Sequence, residues 1–194
     1  MNNWKRTTTV ILIIALSLQA VACGKESKSS KKKSGDLSKL EVNVSVAAKP
    51  RKGISGREFK IALEEAGYDV EKSLDKDADE CYEAFYQDED GESYALITYY
   101  HFKTVIVAKQ CFSDSYDELK ALENEDHFNG SISKNDWKFT AEGTFDEESG
   151  LGYGDGTYAV GILAENTVLI CFSSTDNSGK KALNEALDAL GYVG

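Results

Sequence analysis

The hydrophobic and polar positions after residue 53 predict three helices. The first helix begins at a capping box formed by Ser55 and Glu58 and stops at Gly67, and the last helix stops in the same manner at Gly191. Lys103–Glu123 opens with a β-branched run that favours a strand, yet apolar residues recur every three to four positions along the whole segment. Because this helical period is sustained over several turns, we predict a helix there.

Alternating apolar and polar residues bounded by turn signals predict the strands. These strands are Glu80–Gln87, Ser93–Phe102, Trp137–Ala141, Thr157–Ala164 and Thr167–Ser173. The first two flank Asp90-Gly91, a strong hairpin turn signal. The predicted order is therefore α-β-β-α-β-β-β-α. We expect an α+β fold, with a single antiparallel sheet of about five strands and helices covering one face.

The N-terminal residues have the layout of a cleaved signal peptide. Lys5 and Arg6 precede the apolar stretch Val10–Leu18. That stretch is too short for a bilayer span, which needs about 20 apolar residues. We therefore assign residues 1–22 to a signal peptide and not to a membrane helix.

Cys23 lies at the predicted cleavage point and raises the question of an anchor. The segment Ala20-Val21-Ala22-Cys23-Gly24 resembles a bacterial lipobox, although leucine is the commonest residue at the position of Ala20. A general signal peptidase would cut at the same bond and leave an unmodified secreted protein. An exported N-terminal thiol has no structural use, whereas lipidation requires it. We predict a diacylglyceryl and acyl anchor on Cys23, because two acyl chains give stable membrane attachment.

Charge divides the rest of the chain into two parts. Residues 25–52 hold nine Lys/Arg against three Asp/Glu, and residues 53–194 hold eleven Lys/Arg against thirty Asp/Glu. The first part is too polar to fold, so we interpret residues 23–52 as the lipidated N-terminus and a disordered basic tether. Residues 53–194 are of normal size for one acidic globular domain. Such a domain offers no basic face, which argues against nucleic-acid binding.

The predicted elements resemble those of a known group of proteins. The motifs are a capped helix ending "ALEEAGY", the run "YYHFKTVIVAKQCF", the strand "NTVLICFSS" and the closing helix "ALNEALDALGY". Together they resemble small lipid-anchored lipoproteins of Gram-positive, clostridia-type bacteria, whose function is not settled. The resemblance covers most of residues 53–194 and implies export and anchoring, but it carries over no functional residues. This chain differs from the group at Val105–Val107, where charged residues are usual.

Two loops invite a metal or phosphate interpretation that their sequences do not support. "DKDAD" at Asp75–Asp79 begins like an EF-hand loop, but Glu80 and Tyr86 stand where glycine and glutamate are required. Calcium binding with another geometry is the alternative to a solvated loop. "GLGYGDG" at Gly150–Gly156 precedes a strand and lacks the Lys-Ser/Thr of a P-loop. We expect neither a metal nor a cofactor.

The chain offers few groups for nucleophilic catalysis. His101 and His127 are the only histidines, and a Cys111–His101 pair is the one arrangement worth considering. Reactive cysteines need an electropositive setting, which an acidic domain does not provide. Besides Cys23 the cysteines are Cys81, Cys111 and Cys171, an odd number that leaves a disulfide open. We therefore predict no catalytic residue.

Tyrosines are concentrated in the predicted strands and suggest a binding surface. If helices cover one face of the sheet, Tyr82, Tyr86, Tyr94 and Tyr100 could be exposed on the other. The alternative is that these tyrosines merely suit half-buried strands. We predict a lipid-anchored, non-enzymatic module on the extracytoplasmic face of the cell membrane that binds a protein, a peptide or an envelope component. The alternatives are an envelope hydrolase and a structural or sensory accessory to a membrane protein.

Overall fold

The computed structural model describes residues 52–125, 127–146 and 156–192. The predicted signal peptide, Cys23 and tether lie outside these ranges, as does most of the glycine-rich loop. In chain order the described elements are α1 (Gly56–Glu65), β1 (Asp69–Ser73), β2 (Glu80–Gln87), β3 (Tyr94–His101), α2 (Val105–Asn124), β4 (Phe128–Lys134), β5 (Lys138–Phe145), β6 (Thr157–Ala164), β7 (Thr167–Ser174) and α3 (Asn177–Ala189).

Side-chain caps fix where the three helices begin. Ser55 Oγ accepts from the Glu58 amide at 3.2 Å, and Glu58 Oε2 accepts from the Ser55 amide at 2.8 Å, so the capping box at α1 is confirmed. Thr104 caps α2 by accepting from the Val107 amide, which confirms a helix in the ambiguous segment. Asp176 caps α3. Each cap satisfies amide donors that the first helical turn leaves without a partner.

The strands form a single antiparallel sheet in the order β1-β2-β3-β7-β6-β5-β4. A single antiparallel sheet is confirmed, but it has seven strands and not about five, and the element order is α-β-β-β-α-β-β-β-β-α. The strands absent from the prediction, β1 and β4, are the two edges of the sheet. Most of their residues are exposed, so they carry little apolar alternation that would mark them as strands.

Helices cover both faces of the sheet, so the expectation of a single covered face is wrong. On the face that we call the two-helix face, α1 and α3 pack through Phe59, Leu63 and Leu183. On the opposite, one-helix face, α2 packs through Phe112 and Leu119, chiefly over β4, β6 and β7. Successive strand residues point to opposite faces, and nearly all of β6 and β7 is buried. These two strands therefore need cover on both sides.

The two ends of the sheet differ in what they carry. At the entry end, the chain enters at Lys52, whose carbonyl accepts from the Tyr192 hydroxyl at 3.4 Å. The connections β1–β2, β3–α2 and β6–β7 lie at this same end. At the opposite, turn end lie the β2–β3 turn and the start of α3. These are joined by a 2.8 Å hydrogen bond from Ser93 Oγ to Asp176 Oδ1.

A close contact between β5 and β6 shapes the one-helix face. Phe139 is opposite Gly161 in the register, and its ring lies directly on the glycine. The rings of Phe112 and Tyr116 from α2 pack on Phe139, with centroids 5.3 and 6.0 Å away. The absence of a side chain at Gly161 thus makes room for the ring that carries α2 on the sheet.

Candidate binding surface

The four tyrosines that the sequence nominates are divided between the two faces of the sheet. Tyr82 and Tyr86 pack against the core of the two-helix face. Tyr100 packs against the core of the one-helix face, and Tyr94 shares that face because it lies six residues before Tyr100 on the same strand. The four side chains therefore do not form one continuous surface.

Tyr82 and Tyr86 are parts of an aromatic cluster beneath the two helices. The Tyr82 ring lies 6.3 Å from Phe59 and 6.1 Å from Tyr99, and the Tyr86 ring lies 5.6 Å from Tyr68, all between centroids. Both side chains are half-buried. Aromatic pairs at these separations add to the stability of a core. Their role is packing between strand β2 and the helices.

Tyr94 and Tyr100 lie on β3, which is not among the strands that α2 chiefly packs against. Phe85 on β2 shares this face, since it is opposite Leu96 in the register. Phe85, Tyr94 and Tyr100 are half-buried, and together we call them the aromatic surface. Tyr100 is held by stacking on Phe102, with centroids 6.1 Å apart and planes 15° apart. Aromatic side chains with part of their area still open to water are typical of protein-binding surfaces.

The electrostatics of the aromatic surface keep its phenols protonated. Burial raises the pKa of the Tyr100 hydroxyl, and the nearby thiol groups of Cys81 and Cys111 raise that pKa further. Burial also raises the pKa of Tyr94, which is hydrogen-bonded to the Thr157 side chain and lies near the Asp176 carboxylate. At neutral pH both hydroxyls therefore remain able to donate. The surface combines apolar rings with hydrogen-bond donors, which suits a peptide or protein segment.

His101 is engaged in holding a turn. Its Nε2 atom accepts from Asn166 Nδ2 at 2.9 Å, and the same amide donates to the carbonyl of Phe102 at 2.8 Å. These bonds fasten the end of β3 to the β6–β7 turn. Cys111 is half-buried against the core under α2. Asn166 therefore occupies one of the two ring nitrogens of His101.

Within the part of the chain that the structure describes, the three cysteines form no disulfide. Cys81 and Cys171 are buried on strands β2 and β7. Burial raises the pKa of the Cys81 thiol to about 12, and burial raises the pKa of Cys171 as well. Since the thiolate is the nucleophile, both cysteines are chemically quiet in the folded protein.

The acidic "DKDAD" loop forms a turn through one of its own carboxylates. Asp75 Oδ1 accepts from the amides of Asp77 at 2.8 Å and Ala78 at 3.0 Å. Within residues 52–125, 127–146 and 156–192, no three His, Cys, Asp or Glu side chains are grouped so that they could share a metal ion. The second loop considered above, "GLGYGDG", lies outside the described residues except for Gly156.

Sequence reasoning missed a group of exposed apolar side chains. Leu74, Val105 and Ile106 are 88%, 44% and 80% exposed, and we call them the apolar tip. Leu74 follows β1, and the other two residues open α2. The sequence shows the apolar run at Val105–Val107, but it does not show which of these residues are exposed. Exposed apolar groups that lie together often mark an interaction site.

Comparisons with known proteins add little to this picture. None of the described helices is both long and apolar enough to cross a membrane. No family model matches the chain, and no curated protein does. Among solved structures, the chain is similar to the extracellular domain of PknH from Mycobacterium tuberculosis. The identity is 12%, the match covers 69% of this chain and 70% of that one, and the TM-score is 0.39. A likeness of this size does not establish a shared fold or function.

Proposed function

We propose that this protein is a bacterial lipoprotein anchored through Cys23, and that its acidic domain is an extracytoplasmic binding module for a protein or peptide. The observation that supports the anchor is the cysteine placed directly after a short apolar stretch and three small residues. A basic segment follows the cysteine, and such a segment is attracted to anionic lipid headgroups. The domain holds thirty carboxylates against eleven basic residues, and this charge opposes its broad adsorption on the same surface.

The anchor is tested on the mature N-terminus. The full chain is expressed in a Gram-positive host, extracted with detergent and digested, and the peptide beginning at Cys23 is identified by mass spectrometry. We expect a diacylglyceryl cysteine and partition of the protein into the detergent phase. The Cys23→Ala variant should remain in the aqueous phase. An unmodified Cys23 at the mature N-terminus would refute the anchor and leave a secreted protein.

The observation that supports a binding function is the aromatic surface. Its three rings lie on adjacent strands and are only half-buried, while α2 is packed mainly over the other half of the face. A rigid sheet that presents aromatic rings provides contact area without ordering flexible side chains, which lowers the entropic cost of binding. Glu83 lies beside these rings on β2 and accepts from Ser73 Oγ at 3.0 Å. A carboxylate at the rim favours a partner with basic side chains.

Site-directed photo-crosslinking in living cells tests this surface. A benzoyl-phenylalanine replaces Tyr94 on the aromatic surface, and a matched variant carries it at Tyr86 on the two-helix face. Both positions are half-buried strand tyrosines, so they differ chiefly in the face that they sample. We expect a discrete adduct from position 94 that is absent from position 86 and is weakened by Phe85→Ser. Adducts of equal yield at both positions, or at neither, would contradict the proposal.

A further inference from the structure

The three residues of the apolar tip lie on two connections at the entry end of the sheet. Ser73 pairs with Cys81 and Cys81 with Tyr100, so the loop after β1 lies beside the end of β3. The amide of Asp79 donates to the carbonyl of His101 at 2.8 Å and ties this loop to the segment that leads into α2. Ala78 of the loop and Val107 of α2 pack against the same core. Leu74 and Ile106 therefore project from two adjoining connections.

The proposed tether also reaches the domain at this end. The Gly53 amide donates to Glu165 Oε2 at 3.2 Å, and the carbonyl of Ile54 accepts from the Tyr99 hydroxyl at 2.8 Å. These contacts fix the incoming chain beside the β6–β7 turn. Residues 24–51 can span at most about 100 Å when fully extended. An anchored domain is therefore held within about 100 Å of the bilayer, and the entry end is the end at which its tether attaches.

Lysines offset part of the negative charge at the entry end. The turn end carries "DEDGE" at Asp88–Glu92, four carboxylates within five residues. The entry end carries five carboxylates, on Asp75, Asp77, Asp79, Glu80 and Glu165, and the exposed Lys76 and Lys103 partly balance them. These lysines weaken the repulsion of the entry end by an anionic bilayer. The basic segment before Lys52 adds further attraction at the entry end.

We propose that the apolar tip is a membrane-contact site, where Leu74, Val105 and Ile106 enter the headgroup region of the bilayer that holds the anchor. This inference rests on the proposed anchoring through Cys23. Side chains of this type partition from water into the interface, and lysines beside them remain at the headgroups. The contact between the apolar tip and the bilayer is weak alone. Because the tether keeps the tip near the bilayer, this contact is intramolecular and its occupancy rises. The contact would also fix the direction in which the aromatic surface faces.

Quenching by lipids with brominated acyl chains tests this contact. The tip reporter is the indole introduced by Ile106→Trp in the mature chain with Trp137→Phe, and the matched control reporter is introduced by Asp90→Trp at the turn end. Each variant is attached to vesicles of phosphatidylcholine and phosphatidylglycerol in two ways. One preparation carries the natural modification at Cys23, and the other carries a polyhistidine segment at that position on a nickel-chelating lipid.

We expect brominated lipids to quench the tip reporter several-fold more than the control reporter in both preparations. Adding Leu74→Asp should lower the quenching of the tip reporter, because a carboxylate beside it opposes insertion. Equal quenching of the two reporters on the chelating lipid would overturn the membrane contact. The membrane contact would also be overturned if the tip reporter became buried only at high protein density on the vesicle and was not quenched by the lipids. That result would indicate contact with a second copy of the protein. If the chain isolated from the bacterial host carries no lipid and does not attach to the vesicles, while the tip reporter on the chelating lipid is quenched, the tip contact is supported and the Cys23 anchor is refuted.

Discussion

Replacing Gly161 by alanine is expected to destabilise the domain through its contact with Phe139. A Cβ atom at Gly161 would lie 2.1 Å from Cε1 and 2.2 Å from Cζ of the ring. Carbon atoms pack best at about 3.5 to 4 Å, so the ring would have to move by more than about 1 Å. Phe139 is 2% exposed and is held by the rings of Phe112 and Tyr116. It therefore has little room to retreat.

The magnitude follows from two opposing effects. Overpacking of a core costs about 1 to 3 kcal/mol, whereas glycine to alanine at an unstrained site gains about 0.4 to 1 kcal/mol. We expect a net loss of up to about 2.5 kcal/mol in the free energy of unfolding for Gly161→Ala, near the upper end of this range because the ring has little room to move. At about 2 to 4 °C per kcal/mol for a chain of this size, the melting temperature falls by several degrees.

The assay is urea unfolding of the mature chain followed by circular dichroism, arranged as a double-mutant cycle with Phe139→Val. Phe139→Val alone is destabilising because it leaves a cavity beneath α2. In that background the ring no longer opposes Cβ, so Gly161→Ala should cost little or should stabilise. The coupling between the two positions is the diagnostic quantity. An equal cost of Gly161→Ala in both backgrounds would refute the argument from the ring contact.

Two further predictions concern Asp176 and the buried thiols. Asp176→Ala should cost about 1 to 2 kcal/mol at pH 7, because the cap of α3 and the bond to Ser93 are lost. Hydrogen bonds led by that of Ser174 hold the pKa of Asp176 at about 2, so its contribution is complete above about pH 4 and fades as the pH falls toward 2. Thermal melts across this pH range should show a shrinking difference in melting temperature between Asp176→Ala and the wild type. A constant difference would contradict the assignment. Cys81 and Cys171 should resist alkylation at pH 8 until denaturant is added, as mapped by mass spectrometry, and rapid labelling of the native protein would refute their assignment as buried, protonated thiols.

The central strands β6 and β7 show how the sequence can indicate whether helices cover one face of the sheet or both. The sequence predicts strands at Thr157–Ala164 and Thr167–Ser173, but the predicted arrangement covers only one face of the sheet with helices. The two segments are almost continuously apolar, whereas a strand with one wet face alternates. The long apolar run was therefore a signal for burial on both sides. The edge strands β1 and β4 gave no comparable signal, since pairing of their backbones and not burial of their side chains makes them strands.

The division of the tyrosines between two faces also follows from information in the sequence. A two-residue turn at Asp90-Gly91 places Tyr82 opposite Tyr99, and this register is the one that the structure has. Residues opposite each other share a face, so Tyr82 cannot share the face of Tyr100. Phe85 could have been found by the same argument. The apolar tip could not, because exposure of Ile106 depends on where α2 crosses the sheet, which local pattern does not encode.

The contact between Tyr192 and Lys52 makes the described domain nearly a closed ring in space. Folds whose ends meet tolerate circular permutation, in which the old ends are joined and new ones are opened at a surface loop. A permutant opened within Asp88–Ser93 would keep every strand pairing while moving its point of attachment to the other pole of the molecule. Folding thus does not dictate which end of the domain would carry the proposed anchor. With such an inverted protein, the effect of the binding surface could be measured separately from the effect of the domain's orientation.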